Sequence, residues 1–103
     1  MMPKYVTREG WIEVIIDDTG DYAKFEERVN VLTKQFNLTF TEKLNDHEGT
    51  AYWDFKYKDC YLTIHHNHYL GVSLFAKELE KSSQQENEYA KEIGSLLFEK
   101  IGK

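Results

Sequence analysis

The sequence predicts an α+β domain, a two-layer sandwich in which a mainly antiparallel five-stranded sheet carries two helices on one face, in the order β-α-β-β-β-β-α. Three observations lead there. Between Thr50 and Ala76 three runs alternate apolar and polar residues across very short connections, and connections that short force antiparallel neighbours. Two other segments repeat apolar residues at steps of three and four, as helices with one buried stripe do. The chain has 103 residues, 41% hydrophobic and 15% aromatic, which is enough for one core (residues 1–103 as a single domain) and too short for two.

The first strand is expected at Trp11 to Asp17, where Ile12, Val14 and Ile16 alternate with Trp11, Glu13 and Ile15 and β-branched residues dominate. Thr19-Gly20 breaks the run, and Asp18 or Asp21 can cap the helix behind it. That helix has a stripe of Tyr22, Phe25, Val29, Leu32 and Phe36 and a charged back of Lys24, Glu27, Arg28 and Lys34. Asn37 closes it. Leu38 to Leu44 reads as a second strand, with Leu38 and Phe40 on one face and Thr39, Thr41 and Lys43 on the other. After the polar turn from Asn45 to Gly49 come Thr50 to Tyr57, Cys60 to His66 and Tyr69 to Ala76, a meander joined by Lys58-Asp59 and a turn at Asn67. Lys77 to Gln84 reads as a loop. Ser83-Gln84-Gln85-Glu86 has capping-box spacing, and Ala90, Ile93, Leu97 and Ile101, widened by Tyr89, Leu96 and Phe98, form the stripe of the last helix.

Two single-stripe helices need one apolar sheet face, supplied by residues such as Val14, Phe40, Phe55, Leu62, Ile64 and Leu74. Alternation then puts Trp11, Glu13, Tyr52, Asp54, Lys56, Tyr61, Thr63, His65, Tyr69 and Phe75 on the opposite face, which no helix remains to cover.

Charge is uneven. The net charge is −5, from 18 acidic and 13 basic residues, and up to residue 27 seven acids face three bases, so four of the five excess charges fall in the first quarter of the chain. An acidic surface repels phosphate backbones and steers basic proteins, which disfavours nucleic acid as a partner. Cys60 is the only cysteine, so the chain can form no internal disulfide and no cysteine-based zinc set. Nothing behind Met1-Met2-Pro3-Lys4-Tyr5 is apolar enough for an export signal or a membrane span, so a cytoplasmic protein is expected.

Candidate chemistries can be weighed residue by residue. His66 and His68 have the H-x-H spacing that points two rings to one side of a strand, but the third ligand is missing from their neighbourhood, and solvated histidines at a hairpin end explain the group His65, His66 and His68 better. Cys60 and His65 lie near opposite ends of one strand and on opposite faces, which argues against a nucleophile and base. Asp17-Asp18 lacks the spacing of a calcium loop. No phosphate-binding, dinucleotide, nucleophile-elbow or zinc-protease motif occurs, so neither catalysis nor a cofactor is expected. The remaining candidate is a partner-binding surface made of Asp17, Asp18 and Asp21 together with Tyr52, Asp54, Tyr61, His65 and Tyr69, because aromatic residues dominate interface centres.

A short acidic chain with a central Tyr-Trp-x-Phe-x-Tyr strand (Tyr52 to Tyr57), a following hairpin through Leu62, Ile64 and Gly71-Val72-Ser73-Leu74, and a closing amphipathic helix resembles the small immunity proteins of bacterial toxin systems, including contact-dependent inhibition. The resemblance covers the layout of most of the chain. It implies a stoichiometric inhibitor that binds a cognate, often basic, nuclease toxin, and it assigns no individual residue. Two alternatives stand beside it. A homo-oligomeric cytosolic domain, for instance a homodimer, would bury the aromatic face against itself, and a small enzyme or metal-binding protein would use the region of His65, His66 and His68.

Overall fold

The computed structural model describes residues 4–8, 10–17, 22–45, 50–67, 69, 71–79 and 82–101. The capping candidates Asp18 and Asp21, most of the turn after Asn45, and His68 lie outside them. Eight elements follow one another: β1 (Lys4–Arg8), β2 (Trp11–Asp17), α1 (Tyr22–Lys34), β3 (Phe40–Asn45), β4 (Ala51–Tyr57), β5 (Cys60–Asn67), β6 (Gly71–Ala76) and α2 (Gln84–Ile101). The strands form one antiparallel sheet in the order β1-β2-β6-β5-β4-β3, with both helices on one face. No helix among the described residues is long and apolar enough to cross a membrane.

The sheet therefore has six strands where five were expected. The addition, β1, pairs with β2 across a two-residue connection whose Gly10 sits at φ 80, a conformation open to glycine. It escapes detection by alternation because it is only five residues long, and Tyr5 is its one large side chain aimed at the helices. That side chain is secured from outside the strand: its hydroxyl lies 2.6 Å from Ser95 Oγ on α2.

Two strand starts and one register shift for identifiable reasons. β3 starts at Phe40 rather than Leu38 because the Leu38 N–H donates to the Leu32 carbonyl at 3.1 Å, across Asn37 in the left-handed region at φ 56. A bulge between Phe40 and Glu42 then puts Lys43 opposite Trp53, on the helix side, where its Nζ lies 4.6 Å from the Trp53 ring. At the other end of the meander β6 starts at Gly71, and Tyr69 belongs to the preceding turn, its N–H donating to Asn67 Oδ1 at 2.8 Å. Tyr69 is thus not on the sheet face to which its alternation assigned it.

The core lies between the sheet and the helices. Val14, Phe55, Leu62, Ile64, Val72 and Leu74 from the sheet, Phe25 and Leu32 from α1, and Ala90, Ile93 and Leu97 from α2 are all fully buried. Arg28 departs from the expected charged back of α1. It shares the three-and-four spacing of Phe25 and Leu32, is only 7% exposed, and its Nη1 donates to Glu27 Oε2 at 3.1 Å. A long aliphatic stem lets arginine cover an apolar stripe in this way.

The expected capping box opens α2. Ser83 N–H donates to Glu86 Oε1 at 2.9 Å, and Glu86 N–H donates to Ser83 Oγ at 3.1 Å. Asn87 ties the same turn to the sheet, accepting from the Ile12 N–H at 3.1 Å and donating to Ser82 Oγ at 2.9 Å. Two turns further on, Gly94 lets the helix backbone lie directly on β2. A Cβ there would stand 2.7 Å from Val14 Cγ1, and Val14 is fully buried and stiff. Gly94→Ala should therefore lower stability by about 1 kcal/mol in urea unfolding, since about 1–3 kcal/mol of overpacking outweighs about 1 kcal/mol gained in helix propensity. A gain in stability would show that β2 yields without cost.

The middle of α2 is clamped to the β4–β5 hairpin. Glu92 accepts from Tyr57 Oη at 2.8 Å and from Lys58 Nζ at 3.0 Å, and Lys58 holds the left-handed turn position at φ 57. The Lys58 bond first, and the Tyr57 bond second, hold the Glu92 carboxyl below its ordinary range, while burial and then the Glu92 bond raise the Tyr57 hydroxyl. A depressed carboxyl favours the folded state above the ordinary glutamate value of about 4.3, and that contribution is lost as pH falls through the lower folded value. The melting-temperature difference between the wild-type protein and Lys58→Met should thus be present near neutral pH and shrink as pH falls below the ordinary glutamate value. A difference independent of pH would contradict the clamp.

Candidate functional site

The alternation that sends Phe55, Leu62, Ile64 and Leu74 into the core turns their neighbours to the helix-free face. There the register builds cross-strand rows: Tyr52 opposite His65 and His65 opposite Ser73, Asp54 opposite Thr63 and Thr63 opposite Phe75, and Lys56 opposite Tyr61. The rings pack on one another. The His65 imidazole stacks on Tyr52 at 4.4 Å with 19° between planes and lies 5.9 Å from Phe75, which meets Trp11 edge to face at 5.4 Å.

Charged groups are set among these rings. Asp54 Oδ1 accepts from Thr63 Oγ1 at 2.6 Å, and Oδ2 lies 3.5 Å from Lys77 Nζ. Lys77 is the first residue after β6, and its backbone still follows the sheet, the N–H donating to the Tyr61 carbonyl at 3.1 Å. Its ammonium stands 5.8 Å from the Tyr61 ring, which Lys56 approaches to 5.9 Å. On the β2 side, Glu13 Oε1 accepts from Arg8 Nη2 at 2.8 Å.

Together these residues enclose a groove of about 420 Å³, lined by Trp11, Glu13, Tyr52, Asp54, Thr63, His65, Phe75, Lys77 and Leu79. Its floor is formed by the buried Thr63 and Phe75, whereas the ridges around it are open: Tyr52 is 41%, Tyr61 44% and Leu44 58% exposed. One wall comes from the β6–α2 connection, where Leu79 holds a left-handed backbone at φ 52 that branched and bulky side chains seldom adopt.

Of the residues expected to bind a partner, Tyr52, Asp54 and His65 meet in the groove, and Tyr61 stands beside it as an exposed ring. Tyr69 does not join them; it is 85% exposed at the β5–β6 turn. Asp17 ends β2, while Asp18 and Asp21 lie outside the described residues. Lys77 and Leu79 were not anticipated as part of the site. The available signal was Leu79 itself, a large apolar residue in an otherwise polar connection.

The other candidate chemistries are distributed differently. His65 and His66 project to opposite faces, and His66 is buried on the helix side, its ring 5.4 Å from those of Phe25 and Tyr22. Among the described residues no three His, Cys, Asp or Glu side chains are grouped to hold a metal ion. Cys60 is half-buried on the helix side, opposite Tyr57, and burial, followed by Glu86 and Asp59, pushes its thiol up, which disfavours the reactive thiolate. The helix-free face is best suited to non-covalent contact, offering rigid rings for area and carboxylate and ammonium groups for orientation. Comparison with protein-family models, curated proteins and solved structures finds no match.

Proposed function

We propose that the protein is a non-catalytic binding module that engages a protein partner through its helix-free sheet face, and that the partner is a basic, nuclease-type bacterial toxin which it neutralises. The observation that carries this reading is the groove of about 420 Å³, with Phe75 and Thr63 buried in its floor and exposed Tyr52 and Tyr61 on its ridges. Exposed rings around a buried centre can become interface hot spots when a partner excludes water from them. The excess of acidic residues before residue 28 supports a basic partner, because β2, which lies in that segment, brings Trp11 and Glu13 into the groove wall. The sequence's resemblance in layout to toxin-immunity proteins supports the same reading.

The test compares the wild-type chain with a Tyr52→Ala/Tyr61→Ala double variant as baits in the native host, including against the product of the adjacent upstream gene. The reading expects a basic protein that is retained by the first bait, lost from the second, and inhibited at one-to-one stoichiometry. Recovery of the chain alone as a stable oligomer, with Tyr52 and Tyr61 buried in the contact, would instead favour the self-associating domain.

A further inference from the structure

We infer that the groove is a seat for a single arginine side chain from the partner's surface, which displaces the Lys77 ammonium and pairs with Asp54. This inference rests on the proposed binding role of the helix-free face and specifies what enters it.

Four observations converge. First, the fold already holds a cation at this position, since Lys77 Nζ stands 3.5 Å from Asp54 Oδ2 and 5.8 Å from the Tyr61 ring. Second, the Asp54 carboxylate is fixed for reception: its side chain is 12% exposed, and Thr63 Oγ1 holds Oδ1 at 2.6 Å. Its Oδ2 contact with Lys77 is longer than the roughly 2.7–2.9 Å of a charge-assisted hydrogen bond, leaving room for a stronger donor. Third, Lys77 is easily moved: its side chain is 41% exposed on a residue just past the end of β6, so its ammonium can swing out to solvent when another cation takes its place. Fourth, Trp11, Tyr52 and Phe75 supply aromatic surfaces around the carboxylate. A planar guanidinium stacks on such rings and donates in a fork to a carboxylate, which a lysine ammonium cannot do, so the chemistry selects arginine. Charge agrees with this assignment, because the chain carries a net charge of −5 and the segment that supplies the Trp11 wall holds most of it.

Amide and indole resonances of the full chain, titrated with acetyl-Gly-Arg-Gly-amide and with the same peptide carrying uncharged citrulline, test the seat directly. The arginine peptide should produce saturable shifts at the Trp11 indole and the amides of Asp54, Thr63 and His65, and the citrulline peptide should not. Lys77→Met should tighten arginine binding about threefold by removing the competitor. Asp54→Asn, which keeps an acceptor for Thr63 and so the fold, should weaken it at least about tenfold. Equal responses to the two peptides, unmoved groove resonances, or weaker binding by Lys77→Met would overturn the inference. If the peptide fails while Tyr52→Ala/Tyr61→Ala still releases the natural partner, the seat is wrong and the binding face stands; if the double variant keeps its partner, the binding face itself is wrong.

Discussion

Phe25→Ala is expected to lower the unfolding free energy by about 3–5 kcal/mol, the range for deleting a fully buried phenylalanine ring. Phe25 has no exposed surface and is surrounded by aromatic neighbours, with the Trp53 ring at 5.1 Å, His66 at 5.4 Å and Tyr22 at 5.5 Å. It is the point at which α1 meets β4 and β5, so its loss removes contacts from both layers and opens a cavity that rigid rings cannot collapse to fill. Against a typical total of about 5–15 kcal/mol, such a loss leaves a marginal protein. Denaturant unfolding followed by circular dichroism reads it. A loss below about 1 kcal/mol with a native spectrum would show that α1 is not packed on the sheet in this way.

The second large effect concerns the partner. Tyr52→Ala and Tyr61→Ala should each raise the dissociation rate by about 30-fold, equivalent to about 2 kcal/mol, if these exposed rings anchor the contact. Tyr69→Ala should change it far less, because that ring sits at a turn away from the groove. Reversing Asp17, Asp18 and Asp21 to lysine should act on the other rate: association slows and its salt dependence flattens, as expected for groups that steer rather than anchor. Surface plasmon resonance at two ionic strengths separates the two sets. Indistinguishable dissociation rates for the Tyr52, Tyr61 and Tyr69 variants would remove the helix-free face from the interface.

How much of this was legible in the sequence depends on whether the determining interaction is local. The β4–β5–β6 meander and its faces could be read directly, because Trp53, Phe55, Leu62, Ile64 and Leu74 keep period two and the two-residue turn at Lys58-Asp59 fixes register. The capping box at Ser83 and the helix end at Asn37 are equally local and were equally legible. β1 was not, since a five-residue strand is decided by its pairing with β2 and by the Tyr5–Ser95 contact, 90 positions apart. Nor was the bulge that turns Lys43 to the helix side, because alternation assumes an unbroken pleat. At the site, Tyr52, Asp54 and His65 followed from alternation alone, whereas the Lys77 and Leu79 wall depends on the path of the connection after β6, which periodicity does not encode.

The measurement that bears most directly on the central claim is fluorine NMR of the chain labelled with 5-fluorotryptophan and titrated with its purified partner. The two tryptophans report on opposite faces: Trp11 lines the groove, while Trp53 packs against Phe25 on the helix side and donates its indole N–H to Asn45 Oδ1 at 3.0 Å. With resonances assigned through Trp11→Phe and Trp53→Phe, binding through the helix-free face predicts that the Trp11 signal shifts to saturation at one equivalent while the Trp53 signal stays in place. A Trp53 shift with an unmoved Trp11 would place the partner on the other side of the molecule and contradict the account.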